Sequence, residues 1–115
     1  PKNFKKLFSK RLADYEMHEL SETTPTKNIP IVSGCFMLCR SGVIESLSGF
    51  DPRYFLYFED FNLSLRVGEI SSIAFVPAVR IKHAGGGASK KGIHHIKLFI
   101  RSGYRFFSHH GWKWI

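Results

Sequence analysis

The stretch Leu56-Tyr57-Phe58-Glu59-Asp60-Phe61-Asn62-Leu63-Ser64-Leu65-Arg66 ends a dense aromatic run, begun at Tyr54-Phe55, on two adjacent acids. Paired carboxylates suit the first turn of a helix, where the macrodipole favours negative charge. Phe61, Leu63, Leu65 and Val67 alternate, but the residues between them include good helix formers, so a helix is predicted from about 59 to 69. A carboxylate beside aromatic walls loses solvation, and a second acid next to it raises its proton affinity further. Those are the conditions for a general base that takes a proton from a hydroxyl. The pair also reads simply as a helix N-terminus supplied with favourable acids.

Towards the N-terminus, residues 31–38 carry Ile, Val, Phe, Met and Leu around Ser33-Gly34, which suits a buried strand with a glycine at a close approach. Ser41 is placed to cap a short helix through Leu47, ended by Ser48-Gly49 and the turn Asp51-Pro52. Residues 21–28 are a polar breaker, and residues 3–20 read as a helix with Phe4, Leu7, Phe8, Leu12 and Tyr15 at helical spacing. Cys35 and Cys39 fit neither a C-x-x-C pair nor a disulfide framework, and are expected to be reduced, buried thiols.

Towards the C-terminus, residues 73–76 and 79–81 read as short strands around Pro77, and residues 84–92 as a flexible basic loop. His83, before three glycines, suits a metal or phosphate contact, or equally an exposed strand end. His94-His95 and His109-His110 are adjacent pairs that point to different helix faces and chelate poorly. From 93 to 110 the helical pattern is clear: Ile93, Ile96, Phe99, Ile100, Tyr104 and Phe107 share a sector of about 140°, with His94, Lys97, Arg101 and Arg105 beside it. Such a basic amphipathic helix, followed by Trp112 and Trp114, either lies in the headgroup region of an anionic membrane or docks on the core with a solvated basic edge. Aromatics among Lys and Arg also suit single-stranded nucleic acid, but no RNP-like or K-homology pattern accompanies them.

Charge is divided unevenly. The 115-residue chain carries +8, yet residues 1–69 balance nine Lys/Arg against nine Asp/Glu, so the whole excess lies in residues 70–115, which contain no acid. A field polarised in this way suits an anionic partner. A hydrophobic content of 43% excludes wholesale disorder, and 115 residues suffice for one small domain. No apolar run approaches the roughly 18 residues of a membrane span, and no apolar h-region follows Pro1. Opening on Pro rather than Met, the chain is expected to be a fragment or a processed product.

Four motifs in order, residues 32–40 around Gly34, residues 48–55 from Ser48-Gly49-Phe50-Asp51, residues 56–66, and Val76-Pro77 with Ile81-Lys82-His83, resemble the C-terminal, acceptor-side half of bacterial family 2 glycosyltransferases, particularly rhamnosyltransferase-like members. The resemblance is close over about residues 30–90. It implies an α/β, partial GT-A-like fold divided into residues 1–28 (helix and linker), 29–92 (acceptor and catalytic motifs) and 93–115 (basic amphipathic helix and tail). It implies inverting transfer of a sugar, rhamnose among the candidates, from a nucleotide-diphosphate donor to a glycan or lipid-linked acceptor in cell-envelope polysaccharide synthesis. Asp60 takes the role of catalytic base and Glu59 shapes its environment. Gly34, Tyr57 and Phe58 line the acceptor side, and Arg66 also falls in the substrate region, on the helix face of Glu59 and about 120° from Asp60. His83 is the candidate for metal or donor diphosphate, with Mg or Mn as the cation of the full-length enzyme.

Asn62 stands where the family commonly has a second Asp, Cys35 where Ala is usual, and Ser48 where Gly is usual. The nucleotide-binding half and its D-x-D motif are absent from this chain, so alone it is expected neither to turn over nor to bind donor or metal tightly. The expected location is cytoplasmic, peripheral at the inner face of the membrane through residues 93–115. Apolar surface exposed by such a piece is expected to favour a homo-oligomer. The competing class is a non-catalytic basic, aromatic module that binds anionic lipid or nucleic acid, with nucleic acid the less favoured.

Overall fold

A computed structural model describes residues 23–85 and 91–112. In chain order these form β1 (Thr26–Lys27), α1 (Ser41–Ser46), α2 (Glu59–Ile70), β2 (Ala74–Phe75) and α3 (Ile93–His110), a mixed α/β arrangement. The helix expected over 3–20, most of the loop over 84–92 and Trp114 lie outside the described residues.

The sheet is a single antiparallel pair, with Thr26 opposite Phe75 and Lys27 opposite Ala74. One more bond, from the Ile29 N–H to the Ile73 carbonyl at 3.0 Å, extends the pairing and brings the chain after α2 back beside the segment leading to the site. The expected strand over 73–76 is thus present in its centre. The strand expected over 79–81 is not: the Val79 N–H closes a turn on the Val76 carbonyl around buried Pro77, and residues 79–81 are exposed.

A larger correction concerns residues 31–38, which are no strand. An apolar run becomes a central strand only when neighbours satisfy its backbone, and here side chains do so instead. Val32 N–H donates to Ser64 Oγ at 3.1 Å and Gly34 N–H to Asp60 Oδ2 at 2.7 Å, so the segment is pinned along α2. Its apolar side chains pay for this with solvent contact: Leu38 is 90% exposed. Cys35 and Cys39 are unpaired as expected but exposed rather than buried, because they lie on this uncovered segment.

The three helices match their expected positions closely. In α1 the N-cap is Arg40, with no side-chain cap, rather than Ser41. Its C-terminus is closed by Ser48 and Gly49 in left-handed conformation, at φ 58° and 71°, their N–H groups bonding to the Glu45 and Ile44 carbonyls.

The face by which α3 docks was not anticipated. Ser102, Gly103 and Phe106 are its buried residues, with His95, Leu98 and His110 half-buried. That face is rotated by about 100° from the apolar stripe. The stripe itself faces outward, with Ile93 71% and Tyr104 67% exposed.

Candidate active site

The site is built where α2 begins. Tyr57 and Phe58 stand at φ 68° and 63°, left-handed backbone that bulky residues rarely adopt, and Phe58 is the N-cap of α2. Each such residue costs on the order of 1–3 kcal/mol and persists only where its surroundings over-determine it. Those surroundings come from α3. Phe58 packs its ring against Phe99, Phe106 and Phe107 at centroid separations of 5.2, 5.4 and 6.2 Å, and against Phe61 at 5.6 Å. A Cβ on Gly103 would lie 3.2 Å from that ring, so the ring occupies the space a side chain would need. Beside it, Ser102 Oγ donates to the Leu56 carbonyl at 2.7 Å. The Ser102-Gly103 pair on α3 thus receives the aromatic run and fixes the start of α2.

Asp60, in the first turn, is held on both oxygens. Oδ1 accepts from the Phe61 N–H at 2.9 Å, one of the orphan donors of the helix start, and Oδ2 accepts from Gly34. A Cβ on Gly34 would meet Asp60 Cβ at 3.3 Å and Oδ2 at 3.4 Å, so the absence of a side chain there permits the contact. Ser64, 1% exposed, locks the same register: its Oγ donates to the Asp60 carbonyl at 2.7 Å and accepts from Val32. Gly34 and Asp60 are therefore direct neighbours. Glu59 turns the other way: its Oε2 is buried without a hydrogen-bond partner among the described residues. Burial, and secondarily the Asp60 charge, push its carboxyl above the ordinary carboxylate range against an opposing backbone bond.

The remaining candidates are placed as follows. Tyr57 OH lies 3.0 Å from His95 Nδ1, its ring edge-on to Phe99 at 5.6 Å. Arg66 donates through Nε to Asn62 Oδ1 at 2.9 Å, and through Nη1 and Nη2 to the Leu47 and Gly49 carbonyls at 2.9 and 2.8 Å. Its guanidinium therefore ties α2 to the end of α1. His83 is exposed, and the described residues contain no group of three or more His, Cys, Asp or Glu that could hold a metal.

Asn62, 1% exposed, links this network to α3. With its oxygen claimed by Arg66, its amide nitrogen faces His110 Nε2 at 3.1 Å, which must then accept and so be unprotonated. Burial, with the His109 charge second, holds His110 below its usual value of 6.5. A depressed folded pKa means that the unfolded state binds the proton first, so this stability is present above pH 6.5 and lost as pH falls through the lower folded value. Urea midpoints should therefore decline between pH 7 and pH 5, and His110→Gln should flatten the decline. The slope should stay well under the one-proton limit of about 1.4 kcal/mol per pH unit, because the ring is partly solvated.

Ser64, Ser102 and Gly103 were not singled out from the sequence, and His110 was set aside there as half of a poorly chelating pair. The legible signal for two of them was Ser102-Gly103 itself, the small pair inside an otherwise bulky helix.

Against this geometry, two curated relatives stand out, from Mycobacterium tuberculosis strains CDC 1551 / Oshkosh and ATCC 25618 / H37Rv. Each is named N-acetylglucosaminyl-diphospho-decaprenol L-rhamnosyltransferase and is 31% identical over 85 residues. By sequence, the chain is similar to part of these two rhamnosyltransferases. The match covers 70% of this chain and 28% of each relative, so the chain spans little more than a quarter of their length. No family model matches the chain, and no solved structure does. The resemblance to family 2 glycosyltransferases read from the motifs and the likeness to these relatives point the same way.

Proposed function

We propose that this chain is the acceptor-side part of an inverting, GT-A-type glycosyltransferase, with Asp60 as its general base. The observation that carries the reading is the Asp60 carboxylate, fixed between the Gly34 and Phe61 N–H groups at the start of a helix in a rhamnosyltransferase-like chain. In the proposed step, Asp60 takes the proton of an acceptor hydroxyl while that oxygen attacks the anomeric carbon of the donor sugar. The carbon–oxygen bond to the nucleoside diphosphate breaks on the opposite face, which inverts the centre. Backbone donors hold the base in place without a rotamer search. Glu59, half-buried beside Asp60, has its carboxyl pushed above the ordinary carboxylate range by desolvation. The donor is a nucleotide-linked sugar, rhamnose by analogy with the relatives, and the acceptor is lipid-linked through a diphosphate. The decisive experiment is Asp60→Asn in the full-length enzyme, with transfer and donor binding measured separately. Loss of transfer with donor binding retained supports the reading, and undiminished transfer removes Asp60 from the base role.

The divalent cation that the resemblance implies, Mg or Mn, does not fit the described residues, which lack a donor set for it. The steps above are assigned to the chain's own residues only.

We further infer that α3 rests on an anionic membrane surface. No helix among the described residues is long and apolar enough to cross a membrane. The outward stripe of Ile93, Ile96, Ile100 and Tyr104 instead offers apolar contact, and the neighbouring Lys97, Arg101 and Arg105 complement acidic headgroups. Binding to phosphatidylglycerol vesicles should weaken at least tenfold between 50 and about 300 mM salt and fall similarly on Ile100→Asp. Equal binding to neutral vesicles would leave the stripe without this role.

A further inference from the structure

One flank of α3 carries a cluster of arginines that faces the chain at residues 52–55. Two adjoining clefts, of about 270 and 590 Å³, run between residues 52–55 and α3, and both are lined by Arg53, Arg101 and Arg105. The first is walled by Phe55 and Leu98, the second by Ile100 and Tyr104, with His109 at its edge. Phe55 is 83% exposed, so apolar wall and cationic rim are both open to an incoming ligand.

The arginines are not arranged for folding alone. Arg101 and Arg105 are one helical turn apart, a like-charge spacing that destabilises a helix, and residues 70–115 offer no acid to offset it. Arg53 is fixed by Asp51 through Nε–Oδ1 and Nη2–Oδ2 contacts of 3.0 and 2.6 Å, and this bond holds the Asp51 carboxyl down at about 2. Arg105 donates to the Arg53 carbonyl, which draws the two side chains to one wall. Arg101 has no hydrogen-bond or ion-pair partner among the described residues. Guanidinium groups so placed match phosphate oxygens bidentately, and two of them one turn apart can grip both phosphates of a diphosphate.

We propose that this cleft binds a diphosphate carried on an apolar chain, the phosphates on Arg53, Arg101 and Arg105 and the chain along Phe55, Leu98 and Ile100. The proposal rests on the reading of a lipid-linked diphosphate acceptor and gives that acceptor its anchor. The cleft and the base share one stretch of chain: Phe55 and Asp60 are five residues apart, so their Cα atoms lie within about 18 Å.

Titration calorimetry on the 115-residue chain tests this with farnesyl diphosphate, inorganic pyrophosphate, farnesol and thymidine diphosphate as probes. Farnesyl diphosphate should bind at least tenfold more tightly than each of the others. Arg101→Ala should weaken it about tenfold, while Lys91→Ala, exposed just before the helix and outside the cleft, should change it less than twofold. Arg101 is chosen because its removal breaks no internal contact. Equal weakening by Lys91→Ala would reduce the effect to diffuse charge and overturn the proposal. Thymidine diphosphate binding as tightly would overturn the lipid assignment, and a loss seen only with phosphatidylglycerol vesicles would confine the arginines to the headgroup contact and overturn the cleft. In the full-length enzyme, Arg101→Ala should raise KM for the lipid acceptor with kcat little changed. Farnesyl diphosphate binding that survives Asp60→Asn alongside full transfer activity would sink the catalytic reading alone. Transfer lost in Asp60→Asn with no farnesyl diphosphate binding to the unaltered chain would sink the cleft alone.

Discussion

Asp60→Asn in the full-length enzyme is expected to lower kcat by about 10²- to 10⁴-fold, the range that general-base catalysis supplies, while donor affinity changes less than threefold. The substitution keeps shape and removes basicity. It also carries a structural cost that can be foreseen. The carboxylate accepts from Gly34 on one oxygen and from Phe61 on the other, and an amide can accept through only one of them. Its NH₂ group must then face a backbone N–H, which costs about 1–3 kcal/mol where the group is buried and less here, because Gly34 is exposed. Asp60→Asn therefore needs a companion that disturbs the contact while leaving the carboxylate. Gly34→Ala is that companion. Its Cβ would meet Asp60 at 3.3 Å, so the carboxylate must shift by a few tenths of an ångström. Transfer should drop about tenfold with the pH profile unaltered, since the base is displaced and not replaced. A profile moved along the pH axis would show that Gly34 tunes the proton affinity instead of position.

The Asp60 site was legible because two local signals coincided: acids at a helix start, and a glycine in an otherwise bulky apolar segment. The close approach expected at Gly34 is present, with Asp60 as the group that approaches. The form of its segment was misread for a definite reason. Residues 31–38 have the composition of a central strand, and composition does not say whether neighbouring strands are there to pair with. In the described residues the partners are Ser64 and Asp60, twenty-six and more residues away, and no local pattern announces them. Arg66 illustrates the same limit. Helical spacing placed it on the face of Glu59, but the carbonyls of Leu47 and Gly49 fall within its reach only once α1 has packed on α2. Periodicity located α3 within its observed bounds, yet the helix buries Ser102 and Gly103 and exposes much of its apolar stripe. Amphipathicity ranks faces by transfer to an apolar phase and does not say which phase waits for them. Here the core demands close approach, which small residues provide.

Phe58 is the position at which that close approach has its largest consequence for stability. Phe58→Ala should destabilise the chain by up to about 3 kcal/mol, the lower end of the range for a buried phenylalanine because Phe58 is half-buried, since four phenyl rings converge on it and Gly103 leaves no side chain to fill the gap. Phe58→Gly removes the same ring and one carbon more, and at an ordinary helical position glycine would be worse than alanine by about 0.5–1 kcal/mol. At φ 63° the order should invert, because glycine alone enters the left-handed region freely and is tolerated at an N-cap. Urea unfolding of the two variants should therefore place Phe58→Gly above Phe58→Ala by roughly 1 kcal/mol, the lower end of the strain attributed to such a residue. The reverse order would mean that the left-handed turn is not kept once the ring is gone. Activity separates what stability joins: in the full-length enzyme both variants should lose transfer by a similar factor. The ring against Gly103, and not the backbone angle alone, sets where α2 begins and hence where the Asp60 carboxylate stands.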